Sequence, residues 1–220
     1  MRLVHDRAPG KSTILSEGQS CVRLEEQLRR GNAVLTISSN WDYSVTMKTR
    51  QKLRGVSNDG RLDLWKRGLL SNPEITDAIA EFGASNYQPA VRMVEAALDS
   101  DDSLVRYNAM ATLAYEWGTC SRLARIEEIL LHDNDADCRR QAAGALGSLK
   151  RSSSDLQTLK LLREVAGDDQ QPADLRAFVY TASLGVLGLP RNEQPSPFKL
   201  VVDDSTISHL DRLIAQMVRG

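Results

Sequence analysis

The chain has 220 residues, of which 41% are hydrophobic, 26% charged and 5% aromatic, and its formal net charge is −1. That length suffices for one ordinary domain or two small ones, and the composition excludes a collagenous, low-complexity or wholly disordered chain. The near-zero charge argues against a dedicated nucleic-acid binder, and the scarcity of aromatic residues argues against an all-β fold.

The charge is unevenly placed. Residues 1–70 hold 13 Lys and Arg against 7 Asp and Glu, whereas residues 71–220 hold 15 against 22. At the amino end no apolar run marks a secretory signal, and no stretch anywhere approaches the roughly 20 apolar residues that span a bilayer. Ser20 is placed to cap a helix over 21–30, with Leu24 and Leu28 on one face and Gly31 at its end. Residues 33–37 read as a short strand or extended segment, 40–43 as a turn, and 45–53 fit either strand or helix. Residues 1–60 are therefore expected to form a basic extension of mixed character. The cations Lys48, Arg50, Lys52, Arg54, Arg61, Lys66 and Arg67 are interleaved with Trp65 and preceded by Trp41 and Tyr43. Such a pattern can hold a phosphate backbone, although a solvated basic face is the simpler reading.

From residue 61 the pattern becomes repetitive. Val105-Arg106 with Ala109 and Leu113 aligns with Cys138-Arg139 with Ala142 and Leu146, and with Leu175-Arg176 with Val179 and Ser183. The arginines are 33 and 37 residues apart, and each follows an acidic turn by five to seven residues: Asp99 and Asp101, Asp133, Asp169. A fainter copy at Ile75-Thr76, with Ile79 and Ala80, puts Thr76 in the arginine's place. Between these segments, 89–98, 123–131 and 156–166 carry apolar residues at i, i+3, i+4 and i+7, the face of an amphipathic helix. Asn72-Pro73 and Gln88-Pro89 read as helix starts, Gly83 and Gly118 as residues just past helix ends, and Ser152-Ser153-Ser154-Asp155 as a run that can cap the next helix. After a loop over 190–202, a helix over 205–218 aligns Ile207, Leu210, Leu213, Ile214 and Met217, ready to seal the last repeat.

The acid-rich turn, the Val/Leu-Arg dipeptide and the Ala-then-Leu positions resemble the HEAT-repeat family over roughly residues 61–189. The resemblance implies an all-α fold: a right-handed solenoid of three to four helical pairs, followed by a capping helix within 190–220. It also implies that Arg106, Arg139 and Arg176 form a structural ladder onto turn acids and carbonyls of neighbouring units. Stacking has a physical basis, because one helical pair cannot bury both of its apolar faces alone.

No chemistry-bearing motif accompanies the repeats. Cys21, Cys120 and Cys138 form no CxxC pair, and His5, His132 and His209 are widely separated. No catalytic residue, metal or cofactor is expected, and reduced thiols fit a cytoplasmic protein. The expectation is a non-catalytic protein-binding module, an adaptor or an immunity-type inhibitor of a basic toxin. In the second helices, positions one, two, five and nine after each ladder arginine would form the docking stripe. They are Tyr107, Asn108, Ala111 and Tyr115; Arg140, Gln141, Gly144 and Ser148; Ala177, Phe178, Thr181 and Gly185. Tyr107, Tyr115 and Phe178 are the aromatic candidates for anchors, with Asn108, Arg140 and Gln141 beside them. Asp101, Asp102, Asp133, Asp135, Asp168 and Asp169 would supply an acidic rim that steers a basic protein partner. The competing reading is a nucleic-acid binder resembling HEAT-like DNA glycosylases, which would use the basic stretch 48–67. Nucleic acid and membrane are the less favoured partners.

Overall fold

Residues 53–219 are described by a computed structural model. The expectations for 21–30, 33–37 and 40–43, and all of 45–53 except Leu53, lie outside the described residues, as do Lys48, Arg50 and Lys52. Within them the chain forms nine α-helices and no strand. These are α1 (Asn58–Lys66), α2 (Asn72–Ala84), α3 (Val91–Ala96), α4 (Ser103–Ala111), α5 (Leu123–His132), α6 (Ala136–Leu149), α7 (Leu156–Gly167), α8 (Ala173–Val186) and α9 (Asp204–Arg219). The fold of this part is all-α.

Polar side chains set the starts of several helices. Ser71 precedes α2, and Glu74 accepts hydrogen bonds from its backbone N–H (2.8 Å) and its hydroxyl (2.7 Å). The cap is thus one residue before Asn72, and Pro73 sits inside the first turn, where a missing N–H costs nothing. Asp102 accepts the N–H groups of Leu104 and Val105 at the start of α4. Asp135 does the same for Cys138 in α6, and Asp155 for Thr158 in α7. Each such cap contributes on the order of 1 kcal/mol.

Three local expectations need correction. The segment 89–98 is not one regular helix. The short α3 is flanked by 3-10 turns at Gln88–Ala90, which contains Pro89, and at Ala97–Asp99. Gly83 is not past the end of α2 but inside it. A Cβ there would lie 3.1 Å from the side chains of Thr112 and Glu116, so its small size serves packing rather than chain reversal. The helix begun by α4 does not run on regularly: Thr112–Glu116 is a π-helical turn, closed by Trp117 N–H donating to the Thr112 carbonyl. Gly118, with φ of +61°, then ends it as expected.

The packing is sequential. α2, α4, α6 and α8 contact one another in chain order. α5 lies against α6, α7 against α8, and the 97–99 turn against α4. α9 contacts α7 and α8, and α1 contacts α2. One apolar core runs through all of them, from Leu62 to Leu210. Phe82, Ile79, Leu98, Met110, Ile126, Leu130, Leu146, Leu159 and Leu162 are among its fully buried members. Each contributes about 1.5–3 kcal/mol of burial free energy. Trp65 stacks on Phe82 (6.4 Å between ring centroids) and closes α1 onto α2. α9 buries Ile207 and Leu210 and turns Asp204, Ser208, His209, Asp211 and Arg212 outward. Its Asp211 accepts two hydrogen bonds from Arg163 of α7 (2.8 and 2.9 Å).

Candidate functional site

The three aligned arginines share a geometry. Each reaches back to a carbonyl near the end of the preceding helix: Arg106 to Ser100 (2.8 Å), Arg139 to Leu130 (2.9 Å) and Arg176 to Ala166 (2.8 Å). Two also reach forward. Arg106 forks onto both oxygens of Asp133 (2.7 and 2.8 Å), and Arg139 donates to Oε1 of Gln171 (2.5 Å). Gln171 takes the place where the acidic pattern would put an aspartate. Arg176 instead pairs with Asp169 in its own turn (2.9 Å). Near the first copy it is Asn72, one turn before Thr76, that bridges forward, donating to Asp102 (3.0 Å). The Thr76 hydroxyl is buried with no hydrogen-bond partner.

These bonds use up carboxylates that the sequence assigns to an acidic rim. The Asp133 side chain is 5% exposed and fully engaged by Arg106, so it is not part of a docking surface. The Asp133 hydrogen bond, against the cost of burial, raises the Arg106 pKa above the ordinary arginine value. Asp102 and Asp135 are helix caps. Burial pushes the Asp135 carboxyl up, but the bonds from Cys138 and Ser103 outweigh it and hold the pKa below the usual range. Asp168 accepts from Gln171 and Gln170 within its turn. Asp101 and Asp169 are the rim residues that stand in solvent. Cys138 donates to the Ser103 carbonyl (3.1 Å), and burial with the nearby Asp133 and Asp135 pushes its thiol up to about 12, which makes it unreactive at neutral pH.

The stripe residues are brought together in part. Tyr115 rises from the π-turn with 47% of its surface exposed. Its hydroxyl comes so close to the backbone of Gly144 that an added Cβ would lie only 2.6 Å away. Burial of that end pushes the hydroxyl up to about 12, Tyr107 adds to the shift, and Arg191 and a hydrogen bond with Gln141 oppose it. Tyr107 is half-buried against the core, and burial followed by the charge of Asp137 raises its pKa. Tyr107 and Tyr115 are eight residues apart, a spacing that would place them one above the other on a regular α-helix. The π-turn between them alters the angle per residue, so that register does not hold here. Arg140 is tied to Asp137 of its own helix and to Asp174 of α8. Asn108 donates to the Leu104 carbonyl (2.9 Å).

Further along, Ala177 and Gly185 are buried rather than facing solvent, Gly185 lying against the Gly147 carbonyl of α6. Phe178 is half-buried against the core, and the Phe198 ring stands perpendicular to it with centroids 5.2 Å apart at 89°. Phe198, Arg191 and Gln171 were not among the sequence candidates. An apolar residue between Pro197 and Lys199 in a proline-containing loop is the only signal that points to Phe198.

In the basic stretch, the described cations Arg54, Lys66 and Arg67 are exposed, and Arg67 is 3.2 Å from Asp63. Arg61 turns inward and donates to the carbonyls of Val56 and Leu53 (3.0 and 3.1 Å). No group of three His, Cys, Asp or Glu residues suited to a metal ion occurs among the described residues. No helix among them is long and apolar enough to cross a membrane. No protein-family model, curated protein or solved structure matches the chain.

Proposed function

We propose that this chain is a non-catalytic protein-binding module, a short right-handed HEAT-like α-solenoid that acts as an adaptor or as an immunity-type inhibitor of a basic partner such as a toxin. The serial contacts α2–α4–α6–α8, bridged by Asn72–Asp102, Arg106–Asp133 and Arg139–Gln171, support the solenoid reading. The observation that carries the binding role is Tyr115. The residue is 47% exposed, while its hydroxyl lies close against the bare backbone of Gly144 on the neighbouring helix. A tyrosine has few rotatable bonds, so its exposed ring offers contact area at little entropic cost, which is what an interface anchor requires. The acidic balance of residues 71–220 favours a partner rich in lysine and arginine.

The test is surface-plasmon kinetics against a partner recovered by affinity capture, with circular dichroism as the folding control. Tyr115→Ala should raise the dissociation rate about 30-fold, the equivalent of an anchor worth about 2 kcal/mol. Tyr107→Ala should have a smaller effect in the same direction, because that ring is already half-buried. Parent-like kinetics in both variants would overturn the assignment.

A further inference from the structure

Resting on that reading, we propose that residues 190–201 form a releasable strap over the α8 part of the docking stripe, a built-in competitor that a partner displaces. The strap retraces α8 from its end towards its start. Leu189 N–H donates to the Leu184 carbonyl (3.0 Å), the Thr181 hydroxyl lies 3.5 Å from the Pro195 carbonyl, and the Phe198 ring stands beside Phe178 (5.2 Å between centroids). Phe178 and Thr181 are stripe residues, so the chain itself occupies the place where a partner would lie. At the strap's start, Arg191 opposes the upward shift of the Tyr115 hydroxyl, which puts it within electrostatic reach of the anchor.

The strap is held by little. Among the described residues, the backbone-to-backbone hydrogen bonds donated within 190–201 stay inside the strap: Glu193 to Pro190, Gln194 to Arg191 and Lys199 to Ser196. Pro190, Pro195 and Pro197 have no N–H to give. Phe198 and Val201 are 83% and 80% exposed, so neither wedges the strap down, and Leu200 is its one large apolar residue packed against the core. Firm attachment resumes at Val202, which is buried, and at Asp203, which accepts the Thr206 N–H (2.8 Å) at the start of α9. α8 beneath is buried on most sides, from Leu175 to Val186. A segment with few contacts between two firm ends opens by itself, at lower cost than the helix it crosses.

The experiment uses the full chain carrying Thr181→Cys and a maleimide–polyethylene glycol reagent, with exposed Cys120 and buried Cys138 as internal references and the labelled sites mapped by mass spectrometry. The introduced thiol should react more slowly than Cys120 and faster than Cys138, because the strap opens more readily than the fold. Replacing residues 190–199 by Gly and Ser of equal length should speed its reaction about tenfold or more and leave Cys138 unchanged. Should that replacement unfold the chain, seen as fast labelling of Cys138, the milder Leu200→Ser takes its place. Reaction as fast as at Cys120 would mean that nothing covers the stripe, and reaction as slow as at Cys138 that the strap opens only with the fold. Either result overturns the proposal, and so does a rate unchanged by the replacement. In surface-plasmon kinetics against the partner whose binding Tyr115→Ala weakens, the Gly/Ser strap should tighten binding by the same factor, since both measurements read the fraction of time the strap is open. If labelling accelerates and affinity does not, the strap is no competitor and the protein-binding proposal stands. If no partner depends on Tyr115, that proposal fails, and the labelling order still decides whether the strap releases.

Discussion

Arg106 and Arg139 occupy the same phase of neighbouring helices, yet their acceptors differ, and the difference sets what each substitution costs. Arg106 faces a carboxylate whose side chain is 5% exposed. Its removal leaves that charge without its cation in a poorly solvated turn, where only the Asp135 N–H (2.9 Å) still supports it. Arg106→Ala should therefore destabilise the fold by about 3–5 kcal/mol. Arg106→Lys should recover only part of this, because an ammonium cannot reproduce the fork on both oxygens of Asp133. Arg139 faces neutral acceptors, the Leu130 carbonyl and the Gln171 amide oxygen. Its loss strands two acceptors but no charge, so Arg139→Ala should cost about 1–3 kcal/mol. Urea melts of the three variants at neutral pH check the order Arg106→Ala, Arg106→Lys or Arg139→Ala, parent. If Arg139→Ala melts like the parent but loses partner binding, that arginine is a ligand residue and its place in the ladder is incidental.

Between elements, glycines separate packing from presentation. At Gly147 an added Cβ would lie 2.9 Å from the Cα of Ala182, so α6 and α8 touch backbone to backbone there. Gly147→Ala must push the helices apart and should cost about 1–3 kcal/mol in a chemical melt. At Gly144 the added Cβ meets only the Tyr115 hydroxyl, at the far end of a side chain that can swing. Gly144→Ala should leave the melt nearly unchanged while displacing Tyr115 and weakening partner binding; the reverse pattern at the two glycines would contradict this division. Such distinctions mark what the sequence could and could not disclose. The helices expected at 123–131, 156–166 and 205–218 are observed as Leu123–His132, Leu156–Gly167 and Asp204–Arg219, because their apolar period is the core itself. The π-turn was not legible. It packs Thr112 and Glu116 against α2 at Gly83, a contact that the local sequence of 112–116 does not carry. The acids were legible as a recurring pattern but not by role. Asp101, Asp102 and Asp133 read alike in a turn, and only the position of Arg106 and of the next helix start makes one exposed, one a cap and one a buried counter-ion.

At the scale of the whole molecule, the question is which class of macromolecule the charge admits. Residues 1–70 carry a net excess of six cations and residues 71–220 a net excess of seven acids. A duplex binder needs several exposed cations converging on one face, since each phosphate contact contributes by releasing counterions. The row α4–α6–α8 does not supply them, because Arg106, Arg140 and Arg176 are paired with Asp133, Asp137 and Asp174, and Asp169 respectively. Within 53–67, Arg61 is committed to two carbonyls and Arg67 to Asp63, which leaves Arg54 and Lys66 as exposed cations with no ion pair among the described residues. The full chain should therefore bind a 20-base-pair duplex no more tightly than about 10 µM at physiological salt. An anisotropy titration at two salt concentrations measures this directly. A submicromolar affinity that falls steeply with salt would place the partner surface in the basic stretch 48–67, and the nucleic-acid reading would then displace the protein-binding one. Weak binding that is indifferent to the duplex sequence, and lost on raising the salt, is the outcome expected of a basic segment joined to an acidic helical body.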